Sequence, residues 1–206
     1  IAQLGRALTG GLDPAIRCLF VSSANPVVAA PNQNLVREGL AREDLFTVVH
    51  EQFITDTARY ADYVLPATTQ VEHLDIMASW GSPYLELSLP AIAPLGEAVS
   101  NTELYRRLAA RLGYEEAFLY ASDEQRIREI LTSDHPFLDG ISYERLEREG
   151  WVRLNLPADW RPLATGGFRT PSGKCEFYSA TLASTGIDPL PTYTAPPAPP
   201  AASPLR

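Results

Sequence analysis

Three short polar clusters carry the side chains best suited to hold a ligand in this 206-residue chain: Ser22-Ser23-Ala24-Asn25, His50-Glu51-Gln52 and Pro66-Ala67-Thr68-Thr69. Each closely follows an apolar, β-favouring run. A carboxylate such as Glu51 accepts from a ribose diol or from the N–H edge of a guanine, and the Asn25 carboxamide both donates and accepts. Groups of this kind bind and orient. The same residue types also populate ordinary turns, so a nucleotide-like ligand and plain turn chemistry explain the clusters equally well on residue type alone.

Other chemistry is missing from the pattern. No G-x-G-x-x-G or G-x-x-x-x-G-K-[ST] phosphate loop occurs, and no G-x-S-x-G nucleophile elbow. His50, His73 and His135 lack metal-ligand spacing. Two cysteines, Cys18 and Cys175, cannot form a disulfide framework or a Cys-rich metal or Fe–S site. Both are expected to be small core residues. A net charge of -8 and a pI near 4.9 argue against nucleic acid as a partner. No apolar run approaches the roughly 20 residues of a membrane span, and no secretory leader pattern opens the chain. The expected location is cytoplasmic, with any export signal on a segment upstream of Ile1. Ile1 in place of Met suggests a piece of a longer polypeptide.

The clusters need a scaffold. Residues 1–13 read as a short helix stopped by Gly10-Gly11. Residues 16–21 form a near-continuous apolar run, the pattern of a strand buried on both faces. Residues 32–42 have helical spacing with Asn32 as N-cap, 45–49 a second buried strand, 55–60 a helical turn and 63–65 a third strand closed by Pro66. Strand runs at 17–22, 45–49 and 62–65 joined by helical connections predict adjacent parallel strands. All three polar clusters then share one rim, beyond the carboxyl ends of the strands, where open α/β sheets bind ligands. Further on, 84–89 alternates like a strand. Residues 100–112 read as an amphipathic helix with Leu104, Leu108 and Leu112 on one face and an S-x-x-E capping box at Ser100-Glu103. Residues 122–133 and 143–149 are two more helices. Residues 168–178 read as a β-hairpin, and the Pro-rich stretch 189–204 as extended chain. The fold class is α/β: a Rossmann-like parallel sheet with flanking helices over 1–150, a β-hairpin segment over 151–188, and a Pro-rich linker or strap over 189–206.

The stretch Ser23-Ala24-Asn25-Pro26, followed by residues 46–69 with Thr55, Thr57, Ala58, Ala61-Asp62, Val64-Leu65-Pro66-Ala67-Thr68-Thr69 and then Glu72-His73, resembles the molybdopterin oxidoreductases of the dimethyl sulfoxide reductase superfamily. The pattern N-P … T-x-T-A-x-x-A-D-x-V-L-P-A-T-T-x-x-E is long and specific. Residues 94–98, Ser100-Asn101-Thr102-Glu103 and 168–174 extend the similarity over nearly the whole chain. The resemblance implies the third, Rossmann-like domain of a four-domain catalytic subunit, plus the lead-in to a fourth, barrel domain. It implies a bis(molybdopterin guanine dinucleotide) cofactor with molybdenum or tungsten. The metal's protein ligand, and an Fe–S cluster where one occurs, would lie in earlier domains. It places cofactor contacts on Asn25, His50, Glu51, His73 and Asn101, with no catalytic or metal-ligating residue in this chain. Relatives often carry Gln before the acidic residue where this chain has His50-Glu51, and Asp where it has Asn101. Thr55, Thr57 and Asp62 belong to the signature and are expected to hold the loop.

The implied activity of the whole enzyme is oxygen-atom or two-electron transfer at the metal; this piece alone is expected to be inactive. Its partners would be the cofactor, the remaining domains of the same polypeptide and an electron-transfer subunit. The alternatives are a metal-free electron-transfer scaffold of the kind found as the large peripheral subunit of respiratory complex I, and a free nucleotide-binding domain. The acidic charge and missing Gly-rich loop weigh against the last.

Overall fold

A computed structural model describes residues 2–161, 163–164, 167–190, 192–193 and 195. Two compact units divide at Leu156/Pro157. The first contains two sheets. One is parallel, with β1 (Cys18–Ser22), β2 (Phe46–Glu51) and β3 (Tyr63–Pro66) in the order β1-β2-β3. The other is antiparallel, with β4 (Asp75–Ala78), β5 (Tyr84–Ser88) and β6 (Trp151–Arg153) in the order β4-β5-β6.

The parallel sheet follows directly from the apolar runs. Its connections carry α1 (Leu4–Leu8) before β1 and α2 (Pro26–Ala29) and α3 (Gln33–Leu40) between β1 and β2. Those helices bury Leu8, Val27, Val36 and Leu40 together with Leu45, and Leu19 of β1 packs against this cluster. Helices α1 and α3 cross at glycines: a Cβ at Gly39 would collide with the Leu8 side chain, and one at Gly5 would lie 2.7 Å from the Leu35 Cβ. Asn32 stands at the N-cap of α3 in the left-handed region (φ 57°), and its side chain makes no cap hydrogen bond.

The opposite face of the sheet differs from expectation. Parallel strands normally bury both faces, yet Cys18, Phe20, Phe46, Val48, Tyr63 and Leu65 line an open apolar groove beside Leu104, Tyr105 and Leu108. Cys18 is exposed, as is Cys175, so neither is a core residue here. Leu104 and Leu108, two of the three stripe leucines of the fourth helix, α4 (Asn101–Leu112), thus face this groove. Leu108 and Leu112 are exposed, and the buried residue of α4 is Ala109. Spacing defines an apolar stripe but not what covers it.

The antiparallel sheet was legible only at β5. It packs on α5 (Asp123–Leu131) and α6 (Tyr143–Glu149) through Leu85, Leu87, Ile127, Leu131, Tyr143, Leu146 and Val152. The β6 strand pairs with β5, so the first compact unit runs past residue 150 to Leu156. Helix α5 has a full capping box: the Ser122 side chain accepts from Gln125 N, and the Gln125 side chain accepts from Ser122 N.

The second unit contains α7 (Ala180–Ser184) and turns. The hairpin expected over 168–178 is not formed as strands. Its turn is present, with Phe168 N donating to Gly173 O at 3.1 Å and Gly173 N to Thr170 O at 3.0 Å. No β-ladder extends from it among the described residues. Two isolated strands without a third or a packed helix are marginal in water, and the turn residues here are largely exposed. Most of the expected Pro-rich extended tail lies outside the described residues.

Candidate functional site

The register of the parallel sheet brings the three polar clusters to one rim. Ser22 pairs with His50, and Glu51 pairs with Pro66. A fourth segment joins them, one that spacing alone does not announce. Val99 forms a parallel bridge to Ala67; Thr68 N donates to Val99 O (3.1 Å) and Val99 N to Pro66 O (3.2 Å). This places the start of α4 at the strand ends. Ser100 caps the helix by accepting from Glu103 N at 3.2 Å. The reciprocal half of the expected capping box is absent: Glu103 instead pairs with Arg106 and Arg107, which holds its carboxyl below the usual range. The α4 N-terminus thus presents backbone N–H groups and the positive end of its dipole to the rim.

Asn101, the first residue of α4, is the hub. Its Oδ1 lies 3.1 Å from Ser22 Oγ and 3.0 Å from His50 Nδ1, and its Nδ2 lies 3.0 Å from Ser23 Oγ. His50 is 1% exposed, and its Nε2 faces Val99 O at 3.2 Å. A backbone carbonyl can only accept, so Nε2 carries the ring hydrogen. A neutral ring then accepts at Nδ1 from an Asn101 NH₂ turned toward it, and a protonated ring donates to Oδ1. Either arrangement fixes Asn101. His50 is therefore a positioning residue in this structure, with both ring nitrogens committed inside the protein.

Asn25 sits in the turn after β1 with its oxygen already used. Thr57 Oγ1 donates to Asn25 Oδ1 at 2.7 Å, and Thr57 N donates to the same atom at 3.2 Å. The Thr57 hydroxyl in turn accepts from Val27 N at 3.1 Å. The amide end of Asn25 remains available as a donor. Glu51 is half-buried at the end of β2; one carboxylate oxygen accepts from Gln52 N at 2.7 Å, leaving the other for a ligand. His73 lies further along the rim, its Nδ1 2.8 Å from Thr68 Oγ1. Gln52 reaches the same region by donating through Nε2 to Thr68 O at 3.0 Å.

The rest of the signature is structural. Asp62 accepts from Thr47 N at 2.6 Å, and its own N donates to Thr47 O at 2.9 Å, locking the entry to β3 against β2. Thr55 Oγ1 accepts from Ala58 N. Glu72 accepts from Thr69 N (2.7 Å), Thr69 Oγ1 (2.9 Å) and Leu95 N (2.8 Å). Those donors hold its carboxyl below the usual carboxylate range, the backbone bonds of Thr69 and Leu95 foremost.

The profile of the molybdopterin oxidoreductase family matches residues 8–111, which is half of the chain and spans every element of the rim. The chain belongs to that family. Among its relatives, "Probable oxidoreductase YoaE" of Bacillus subtilis (strain 168) is 46% identical over 193 residues, 93% of this chain and 28% of that protein. The "Acetylene hydratase" of Syntrophotalea acetylenica is 32% identical over 182 residues, 88% of this chain and 24% of that protein. The solved structure "Acetylene Hydratase from Pelobacter acetylenicus" superposes with a TM-score of 0.74 at 31% identity, covering 94% of this chain and 26% of that one. The chain thus spans about a quarter of the length of the relatives it matches.

Among the described residues, no group of three or more His, Cys, Asp or Glu side chains could hold a metal ion. No helix among them is long and apolar enough to cross a membrane. What the rim can do is bind. It offers a half-free carboxylate at Glu51, a free amide donor at Asn25, a helix N-terminus at Ser100-Asn101 and a half-buried imidazole at His73. Ser22 and Ser23 enter the site as the partners of Asn101. They stand in the first polar cluster, but only the fold shows what they hold.

Proposed function

We propose that this chain is the portion of a molybdopterin-dependent oxidoreductase that grips one pterin guanine dinucleotide at its nucleotide end. The observation that carries the reading is the convergence of three parallel strand ends and the α4 N-terminus on Asn25, Glu51, His73 and the His50–Asn101 pair. The donor set suits such a ligand. Glu51 can accept from a ribose diol, Asn25 can donate through its amide, and the α4 N-terminus favours a phosphate.

When bound, the cofactor would supply oxygen-atom or two-electron transfer at molybdenum or tungsten. This chain's own residues bind and orient. His50, locked between Val99 and Asn101, sets the start of α4 against the end of β2. Thr57 fixes the Asn25 turn. The names of the relatives support a holding role: one is named an oxidoreductase and another a hydratase, yet both match across this segment. What different reactions share is the cofactor's seat. Contacts to a substrate, to an Fe–S cluster and to an electron-transfer subunit would be made by parts of the enzyme outside this chain.

The test is metal and guanine content of the purified full-length protein, wild type against Glu51→Ala and Asn25→Ala. Removing the Glu51 acceptor leaves a ligand hydroxyl or N–H unpaired, at roughly 1–3 kcal/mol, so affinity falls by about tenfold for each 1.4 kcal/mol and cofactor occupancy falls with it. Equal occupancy in all three proteins would overturn the reading, and guanine without metal would favour a metal-free scaffold.

A further inference from the structure

The Asn101 carboxamide links His50, Ser22 and Ser23 in a chain that can bond in two complete ways. One amide end faces both Ser22 Oγ (3.1 Å) and His50 Nδ1 (3.0 Å), and the other faces Ser23 Oγ (3.0 Å). Across the ring, Nε2 must donate to Val99 O. Which amide end points at His50 therefore follows from one proton, the one on Nδ1.

With Nδ1 bare, the ring accepts. Asn101 turns its NH₂ toward His50 and Ser22, and its oxygen accepts from the Ser23 hydroxyl. The Ser22 hydroxyl hydrogen is then free, and Ser23 offers only lone pairs. With Nδ1 protonated, the ring donates. The amide oxygen accepts from His50 and Ser22, and Ser23 accepts from the NH₂, so the free hydrogen is now on Ser23. Every member of the chain is bonded in both patterns. They differ in what the rim presents: a donor at half-buried Ser22, or a donor at exposed Ser23. Ser23 reaches Asn101 from the left-handed conformation (φ 52°), which is uncommon for a residue with a Cβ.

Strand alternation puts His50 on the same face of the sheet as Ser22 and Leu65, and Glu51 on the opposite face. The titratable groups on the His50 face are Cys18 and Tyr63, at the other ends of their strands, and Tyr105 of α4. Glu103 of α4 is paired with Arg106 and Arg107, and His73, beyond β3, with Thr68. Among the described residues the ring bonds only to Val99 and Asn101.

We propose that His50 is a proton-linked positioning residue: a ligand oxygen that accepts from Ser23 draws a proton from solvent onto His50 Nδ1, through a turn of the Asn101 amide. The inference rests on the reading that the rim holds the anionic nucleotide end of the cofactor, and concerns the protonation that accompanies its seating. An anionic oxygen favours the protonated pattern twice, by accepting from Ser23 and by attraction to the imidazolium charge. Binding takes up a proton, so affinity falls as pH rises across the imidazole range, roughly pH 5 to 8.

The experiment titrates the full-length protein, freed of cofactor, with the methyl ester of guanosine 5′-monophosphate. That probe is a phosphodiester and lacks the second phosphate ionisation at about pH 6. Calorimetry in two buffers of different ionisation enthalpy counts the protons exchanged. Wild type should take up a fraction of a proton within the imidazole range, and Kd should rise with pH by up to about tenfold per unit. His50→Gln retains an amide beside Val99 and Asn101 but cannot titrate, so its Kd should be flat with pH. Asn101→Asp keeps the imidazole and replaces the turning amide by an acceptor that holds Nδ1 protonated before binding; uptake should vanish there too. Ser23→Ala should lose most of the uptake, because the hydroxyl that joins ligand to amide is gone. Binding to wild type without proton uptake overturns this proposal alone. So does full uptake in Ser23→Ala, or uptake that persists in His50→Gln, where Glu51 or His73 would be its source. No binding to wild type, or binding indifferent to Glu51→Ala and Asn25→Ala, overturns the rim reading and this proposal with it.

Discussion

Thr57 shows how much of the signature is scaffolding. It is fully buried and joins the Asn25 side chain to the backbone of α2. Thr57→Val preserves shape but leaves Asn25 Oδ1 and Val27 N short of a partner. A loss of roughly 1–3 kcal/mol in unfolding free energy is expected, read from the urea midpoint at constant m, while Thr57→Ser should recover most of it. Glu72 gives a pH signature. Its carboxyl is held below the ordinary value near 4.3 by three donors. A depressed folded pKa contributes stability that is complete above the unfolded value and is lost as pH falls through the folded one. Wild type should therefore lose thermal stability on acidification below about pH 4.3 more steeply than Glu72→Gln, which cannot titrate. Parallel melting curves for the two proteins from pH 6 to pH 3 would exclude the carboxylate as the cause.

At the scale of elements, the crossing of α1 and α3 depends on two missing side chains. Gly39 lies against Leu8 and Gly5 against Leu35, with no room for a methyl group at either. Gly39→Ala raises helix propensity by up to about 1 kcal/mol but forces the helices apart, which costs roughly 1–3 kcal/mol. Overpacking wins, so the thermal midpoint should fall; a rise would mean that the crossing relaxes freely. Helix α4 shows the limits of a periodic pattern. Leu104, Leu108 and Leu112 are spaced as a stripe, and Ser100 and Gly113 mark the ends correctly, with Gly113 at φ 76°. Yet Leu104 and Leu108 of that stripe line an open groove with Phe20, Phe46 and Tyr63 instead of a closed core.

For the molecule as a whole, binding and stability are linked. A ligand held only by the native state adds stability by mass action, about 2.7 kcal/mol at a concentration one hundred times Kd. The loaded full-length protein should melt above its cofactor-free form, and Glu51→Ala should narrow that gap while leaving the cofactor-free midpoint nearly unchanged. An unchanged gap would remove Glu51 from the ligand's contacts. The separation also distinguishes Glu51, which is half-free at the rim, from His50, whose loss would lower both midpoints by unpairing Val99 O and Asn101.

The parallel order of β1, β2 and β3 was legible in the sequence because each strand is a short apolar run and each connection is too long for a hairpin. The shared rim followed from that order, since parallel strands end on the same side. Two helix starts were legible too, because caps are local: Ser100 and Ser122 both accept from the N–H three residues on, whereas Asn32 makes no cap hydrogen bond. The antiparallel sheet was not, apart from β5. Trp151–Arg153 is too short to show a period, and it becomes a strand only by pairing with residues almost seventy positions earlier. Nor could the sequence say that His50 is buried against Asn101 or that Thr57 occupies the oxygen of Asn25. These depend on contacts between residues far apart in the chain, which residue type permits but only the packing of β2, α4 and the turn after β1 selects.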